Sequence, residues 1–117
     1  HYDSIWIAFN EKEIDQFVAQ GKIVVIDVTA DWCITCKVNK LAVLNNKEIV
    51  KKLNSENIIA MRADITKPNA NVITFLRKHG RFAIPFNAVY GPSAKNGLLT
   101  SELLTKKEFL ELIEKAK

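Results

Sequence analysis

The sequence has few cysteines and no long apolar run, and each shortage excludes a class of protein. Two cysteines among 117 residues are too few for the several widely separated disulfides that stabilise small secreted domains. The longest strongly apolar runs, such as 23–26 and 58–61, are far shorter than the ~20 residues of a membrane-spanning helix. No repeat, linker or low-complexity segment interrupts the chain. We therefore expect one soluble domain over residues 1–117.

The charge of the chain is only mildly positive, at +4. Lysines are scattered among glutamates, which is typical of a solvated surface rather than of a nucleic-acid interface, so we expect no nucleic-acid partner. We also expect the domain to be a monomer. The chain begins at His1 instead of Met, and no signal peptide is visible. We interpret it as a domain excised or processed from a larger protein, whose targeting information is missing.

The order of apolar and turn-forming segments predicts an α/β fold. Predicted strands lie at 5–9, 22–29, 57–65, 86–90 and 98–103, the last after turn signals at 91–92 and 95–97. Predicted helices follow Asn10, start at Cys33, restart after a break at Asn45-Asn46, cover 71–79 and follow Thr105. The order β-α-β-α-β-α-β-β-α favours parallel pairing of the first three strands and an antiparallel final hairpin. Because the run 23–26 does not alternate, we expect a mixed five-stranded sheet with helices on both faces.

Both cysteines lie in the first turn of the predicted second helix. A thiolate at Cys33 would be stabilised there by free backbone N–H groups and the positive end of the helix dipole, which lowers the pKa of the thiol. Cys36, one turn deeper, could attack a mixed disulfide formed at Cys33 and release the partner. Trp32 would form an apolar shoulder beside the nucleophile. The pattern predicts thiol–disulfide exchange.

Two structural explanations of the cysteine pair are also open. A structural zinc ion needs four ligands, and only His1 and His79 could complete the set, at spacings unlike those of zinc fingers. A purely structural disulfide across so short a loop would constrain the unfolded chain very little. We therefore expect no metal.

Asp27 is the second candidate for chemistry. A carboxylate in an apolar central strand costs several kcal/mol unless it is neutralised or used. It lies six residues before Cys33, at the end of the strand that leads into the helix. From beneath the cysteines it could shuttle the proton of Cys36 through water, and a hydrogen-bonded structural role is the alternative.

The Ile84-Pro85 step precedes the fourth predicted strand and fits a tight entry into the sheet, where cis proline occurs. We expect no chemical role for the remaining polar and aromatic candidates. We expect His79 to be a surface residue at a helix end, Phe82 and Phe86 to belong to the core or to an apolar rim, and Asp31 to be a solvated charge.

The segment DVTADWCITCK, residues 27–37, resembles the active-site segment of thioredoxins, and the order of elements matches the thioredoxin fold over nearly the whole chain. The resemblance implies a redox-active Cys33–Cys36 disulfide with no further cofactor, assisted by Asp27. It also implies that Pro85 is the cis proline opposite the cysteines. Partner contacts are then predicted at Trp32, Ile34, Thr35, Ile84 and Pro85.

A finer resemblance is to the C-terminal periplasmic domain of DsbD-type thiol:disulfide interchange proteins and their ScsB relatives. It rests on ADWCITCK, on the broken helix, on the DIT segment 64–66 and on RFAIPFNAVYGP, residues 81–92. Such a domain, part of an inner-membrane protein, accepts electrons from a membrane-embedded domain. It passes them to a periplasmic acceptor domain, which keeps disulfide isomerases reduced.

Two positions depart from these families. Ile34-Thr35 replaces the Gly-Pro of ordinary thioredoxins, and Lys40 stands where DsbD-type domains often have a glutamate one turn after the second cysteine. A cation there favours the thiolate, so Lys37 and Lys40 are predicted to modulate the pair. The sequence thus predicts a disulfide reductase that relays electrons. A free-standing thioredoxin-like reductase or oxidase is the first alternative, and a redox-inert binding or metal-handling module is the second.

Overall fold

A computed structural model describes residues 2–117, and within them five strands form one sheet. The strands are β1 Trp6–Ala8, β2 Ile23–Thr29, β3 Ile58–Asp64, β4 Phe86–Gly91 and β5 Ala94–Leu99. Their spatial order is β1-β3-β2-β4-β5. Strand β3 pairs in parallel with β1 and β2, whereas β4 is antiparallel to both β2 and β5. The predicted mixed five-stranded sheet is confirmed.

Five α-helices lie among the same residues. They are α1 Glu11–Ala19, α2 Ile34–Asn39, α3 Lys47–Leu53, α4 Ala70–Lys78 and α5 Lys106–Ala116, with a 3-10 turn at Tyr2–Ile5. The predicted caps are present, because the side chains of Asn10, Asn46 and Thr105 each accept a hydrogen bond from a backbone N–H of the first turn. None of the helices in residues 2–117 has the length and apolarity to cross a bilayer.

The predicted break after the second helix is confirmed, and the structure adds a detail that the sequence did not indicate. Between α2 and α3 the chain forms a π-helical turn, Lys40–Leu44. Asn39, buried at the end of α2, donates from Nδ2 to the carbonyl of Glu102 and accepts at Oδ1 from the amide of Leu104. These bonds fix the rotation of α2 against the segment that precedes α5.

Strand β2 is buried along its whole length and contributes to two cores. Val24 and Ile26 face one side, where they pack with residues of α1, α4 and both cysteines. Ile23 and Val25 face the other side, with residues of the π-helical turn, α3 and α5. Helices therefore cover both faces, as the unalternated apolar run predicts. By the same alternation, Asp27 lies on the side of Ile23 and Val25.

The predicted position of the fifth strand is wrong. The hairpin turn is Pro92-Ser93, and β5 begins at Ala94 instead of Leu98. The residues 95–97 that suggest a turn form an irregularity within the strand, where they lie opposite Tyr90 alone. Gly97 has a φ of +87° there. The turn-forming residues mark a bulge, which needs the same backbone freedom as a turn.

His79 lies at a helix end, as predicted, but the prediction that it is a surface residue is wrong. His79 caps the C-terminus of α4 and is half-buried, with its ring centroid 4.9 Å from that of Phe75 and 5.6 Å from that of Phe86. Its Nε2 lies 2.6 Å from the hydroxyl of Tyr90. Burial, followed by the charge of Lys78, lowers the pKa of His79. His1, the other histidine, lies outside the described residues.

Candidate active site

The cysteines lie where β2 passes into α2. Cys33 is the N-cap of α2, and its backbone N–H donates to the carbonyl of Ala30 at 3.1 Å. Cys33 and Cys36 are joined by a disulfide, with Cα atoms 5.2 Å apart. The backbone N–H of Cys36 points at Sγ of Cys33 from 3.2 Å. Cys33 therefore occupies the position at a helix N-terminus where backbone N–H groups stabilise a thiolate.

The cysteine pair is bordered by exposed apolar side chains. The sulfur-bearing residues themselves are nearly inaccessible, with Cys33 6% and Cys36 3% exposed. Trp32 and Ile34, on either side of Cys33, are 63% and 77% exposed, whereas Thr35 is half-buried. Cys33 is therefore flanked in the sequence by two apolar side chains that solvent reaches.

The Ile84-Pro85 peptide bond is cis. Ile84 is half-buried and packs against the core cluster to which both cysteines belong. Pro85 is buried. Of the two phenylalanines close to Ile84-Pro85 in the sequence, Phe86 is 1% exposed and belongs to the core, whereas Phe82 is 82% exposed.

Asp27 is buried, and both of its carboxylate oxygens accept hydrogen bonds. Its Oδ2 accepts a hydrogen bond from Nε of Arg62 at 2.8 Å, and its Oδ1 accepts one from Nδ2 of Asn87 at 2.8 Å. The three residues stand side by side in the register of β3, β2 and β4. Asn87 also donates to the carbonyl of Ile26 at 3.3 Å. The carboxylate is thus held by one ion pair and one neutral hydrogen bond, which offset its desolvation.

Arg62 and Asn87 are the residues that sequence reasoning missed. Each interrupts an apolar strand, as Asp27 does, and that shared pattern of single polar residues in buried strands was the available signal. Arg62 is further held by the ring of Trp6, whose centroid lies 4.2 Å from Cζ of the guanidinium. The contact is a cation–π interaction at the sheet edge that β1 forms.

The two lysines predicted to modulate the pair have different surroundings. Lys37 is exposed on α2, whereas Lys40 is half-buried where the π-helical turn begins. Lys40 borders a cleft of about 440 Å³ together with Asp31, Arg62 and Asp64. The pKa of Asp64 is lowered, first by hydrogen bonds from Thr66 and then by the charges of Lys40 and Arg62. Lys40 therefore acts electrostatically on Asp64.

The segment that leads into Trp32 is tied to the end of β3. The backbone N–H of Asp31 donates to Oγ1 of Thr66 at 2.8 Å, and that hydroxyl donates to Oδ1 of Asp64 at 2.6 Å. The side chain of Asp31 is exposed, in agreement with a solvated charge. Among the side chains that the structure describes, no three of His, Cys, Asp and Glu converge closely enough to hold a metal ion.

Comparison with known proteins places these features in context. Residues 5–92 match the family model described as thioredoxin-like. "Thiol:disulfide interchange protein DsbD" of Pseudomonas sp. (strain JR1 / K1) is 33% identical over 75 residues, which are 64% of this chain and 12% of the relative. The Vibrio cholerae protein of that name is 29% identical over 96 residues, 80% of this chain and 16% of the relative. The chain therefore spans only a small part of the curated relatives.

Among solved structures, the C-terminal domain of Neisseria meningitidis DsbD in its reduced form is similar, with a TM-score of 0.70 and 24% identity. The match covers 92% of this chain and 93% of that domain. A thioredoxin from Thermus thermophilus has a TM-score of 0.67 and 15% identity, over 93% of this chain and 83% of the other. At these identities the likeness establishes a common fold.

Proposed function

The chain belongs to the thioredoxin-like family, and on that premise we propose that it is a disulfide reductase that works by dithiol–disulfide exchange. The observation that carries the proposal is the position of Cys33 at the N-terminus of α2, within disulfide distance of Cys36. A metal or organic cofactor has no part in the proposed reaction. The two thiols carry the electrons.

In the proposed reaction, the Cys33 thiolate attacks one sulfur of a partner disulfide. A bond forms between that sulfur and Cys33, and the other partner sulfur leaves as a thiolate and takes up a proton. Cys36 then loses its proton and attacks Sγ of Cys33, which releases the second partner thiol. The partner gains two electrons and two protons, and the domain is left as the Cys33–Cys36 disulfide.

Asp27 is proposed to assist the second step by taking the proton of Cys36 through water. It is buried on the strand that leads to the cysteines, and Arg62 and Asn87 hold its carboxylate in one orientation. The proton therefore has to be received by a carboxylate that already accepts two hydrogen bonds. We propose Arg62 and Asn87 as positioning residues for Asp27.

Partner proteins are proposed to dock over Trp32, Ile34 and Thr35, with Ile84-Pro85 forming the opposite side of the contact. The support is the exposure of Trp32 and Ile34 and the packing of Ile84 against the core cluster to which both cysteines belong. An extended backbone segment on either side of the partner cysteine could lie against this surface.

We further propose that the domain relays electrons as the periplasmic domain of a larger inner-membrane protein. It would receive electrons from a membrane-embedded dithiol domain and deliver them, as a monomeric module, to a periplasmic acceptor domain or a disulfide isomerase. The support is the sequence similarity to DsbD proteins over a short part of their length. Lys37 and Lys40 would tune the reactivity of the pair.

The exchange reaction is tested with insulin as the disulfide-containing probe. We expect the Cys36→Ser variant to form a mixed disulfide with an insulin chain through Cys33, visible by mass spectrometry without reductant. The matched Cys33→Ser variant retains only Cys36, which does not lie at the N-cap of α2, and should trap far less. If Cys36→Ser traps nothing while its far-ultraviolet circular dichroism matches the wild type, the exchange proposal fails and a redox-inert binding module is favoured.

The direction of electron flow is tested by the reduction potential, measured by equilibration with reduced and oxidised glutathione. A reductase should lie near the thioredoxin value of about −270 mV. A potential close to the strongly oxidising end, about −120 mV, would contradict the reductase assignment and favour an oxidase. It would leave the exchange chemistry itself intact.

A further inference from the structure

Helix α2 and the π-helical turn that follows it expose a line of apolar side chains that starts beside Cys33. Ile34, Val38 and Leu41 are 77%, 43% and 80% exposed. Ile34 and Val38, four residues apart, share one face of α2, and Leu41 continues the line into the π-helical turn. We refer to these three residues as the α2 stripe. It extends about 10 Å along the helix axis at 1.5 Å per residue.

The exposure of the α2 stripe is fixed by the opposite side of the helix. Asn39 is 1% exposed and is bonded to the backbone of Glu102 and Leu104, so α2 cannot rotate to bury the stripe without breaking both bonds. Val43 and Leu44, farther along the π-helical turn, are buried in the second core. The apolar face that α2 needs for folding is therefore distinct from the stripe.

The segment that carries the α2 stripe is basic. From residue 32 to residue 47 the chain carries Lys37, Lys40 and Lys47 and no acidic residue. Lys37 and Lys47 are exposed, and Lys37 follows Ile34 by three residues, which places it beside the stripe. Lys40 is half-buried and borders the cleft that also holds Asp31 and Asp64. A partner with carboxylates around an apolar contact would match this surface.

We propose that the α2 stripe is a docking site for a protein whose cysteine is followed by an apolar segment rimmed with Asp or Glu. The proposal rests on the proposed function, and it names the chemistry of the partner. A second copy of the chain fits poorly, because two stripes in contact would bring their lysines together. An anionic membrane fits poorly as well, since a bilayer on this face would also cover Cys33.

The probe is a set of three synthetic peptides, each a mixed disulfide of one cysteine with thionitrobenzoate. In the first, leucines and glutamates follow the cysteine; in the second, lysines replace the glutamates; in the third, serines replace the leucines. The Cys33 thiolate attacks the peptide sulfur, so the bond to thionitrobenzoate breaks and that coloured thiolate leaves. Cys36 then displaces the reduced peptide, and dithiothreitol restores the dithiol before the next measurement.

Each peptide rate is divided by the rate of the same protein with the small disulfide dithiobisnitrobenzoate, so that changes in the reactivity of Cys33 cancel. The wild type should favour the leucine-glutamate peptide over each of the other two by roughly tenfold, the factor that corresponds to about 1.4 kcal/mol. Added salt should reduce only the part of the preference that is due to charge.

The deciding variants are Val38→Ser and Leu41→Ser, with Ile7→Ser as the matched control. Ile7 is 43% exposed, as Val38 is, but lies on strand β1. We expect the combined Val38→Ser/Leu41→Ser protein to lose most of the preference for leucine, and Ile7→Ser to keep it. A preference that survives in the stripe variant, or is lost equally in Ile7→Ser, would overturn the docking site.

Three further outcomes separate this inference from its alternatives. Stripe-dependent sedimentation with vesicles of phosphatidylglycerol and phosphatidylcholine would overturn it in favour of a membrane contact. Stripe-dependent dimerisation in analytical ultracentrifugation would overturn it in favour of self-association. If the wild type reacts with neither the peptides nor dithiobisnitrobenzoate, the proposed function fails and the docking site fails with it, whereas reaction with all three peptides at equal rates contradicts the docking site alone.

Discussion

Asp27 and Arg62 form an ion pair across neighbouring parallel strands, with Nε 2.8 Å from Oδ2 and side chains only 4% and 14% exposed. The pair lies next to Trp6, whose ring covers the guanidinium. A carboxylate buried to this degree depends on its cation, because water cannot replace the lost partner. The arginine therefore links the stability of the sheet to the acid proposed to serve Cys36.

Replacing Arg62 by methionine should destabilise the reduced protein by about 3 kcal/mol, since it leaves the Asp27 carboxylate buried without its cation. The measurement is urea unfolding at neutral pH. The double variant Asp27→Asn/Arg62→Met serves as the control, because it removes both charges and should recover most of the loss. If the double variant is no more stable than Arg62→Met alone, the ion pair does not account for the loss of stability.

Local signals predicted much of the fold and of the site. Asn10, Asn46 and Thr105 mark helix starts because a capping side chain bonds only to its own first turn, which neighbouring residues decide. Cys33 and Cys36 could be placed at the start of α2 for the same reason. The unalternated run at the start of β2 indicated burial on both faces before any pairing was known.

Relationships across strands could not be predicted from the sequence. The pairing of Asp27 with Arg62 and Asn87 depends on the register of three strands, which a single sequence does not reveal. The burial of His79 depends on Tyr90 and on the rings around it, contacts that only the tertiary fold creates. The shift of β5 arises because a bulge and a turn use the same residue types.

Gly97→Ala tests the bulge in β5. An added Cβ would lie 2.8 Å from Cζ of the Tyr90 ring, and the φ of +87° already disfavours alanine. Gly21→Ala is the matched control, with a φ of +84° and open space around the added carbon. We expect a loss of about 1 kcal/mol for Gly21→Ala and roughly 2–3 kcal/mol for Gly97→Ala in urea unfolding. Equal losses would mean that the Tyr90 ring gives way freely.

The stability of the protein should fall as the pH is lowered from 7 to 5. Burial lowers the pKa of His79 in the folded state, whereas in the unfolded chain His79 keeps its ordinary pKa of about 6.5. When the pH falls below that value, the unfolded chain therefore binds a proton more readily than the folded protein does. The free energy of unfolding then decreases on acidification, because protons pull the equilibrium towards the unfolded chain.

His79→Gln isolates this contribution, since it keeps a polar side chain that does not titrate. Urea unfolding of the wild type and of the variant is compared at several pH values, and the variant should show the flatter dependence. His1 is present in both proteins and cancels from the comparison. Parallel pH profiles of the two proteins would contradict a lowered pKa of His79 in the folded state.

Lys40→Glu reverses the charge of the half-buried lysine at which the π-helical turn begins. A negative charge one turn after Cys36 opposes thiolate formation, so alkylation of reduced Cys33 by iodoacetamide below neutral pH should slow by roughly threefold. The same variant should raise the pKa of Asp64, because the charge of Lys40 helps to lower it.

The matched control for Lys40→Glu is Lys47→Glu, which makes the same change of charge at an exposed position at the start of α3. Its alkylation rate should stay close to that of the wild type, since the charge is farther along the chain from Cys33 and water screens it. Equal slowing in the two variants would point to the net charge of the domain instead of to Lys40. A faster reaction in Lys40→Glu would contradict the electrostatic argument, because the loss of a nearby cation should make the thiolate less stable.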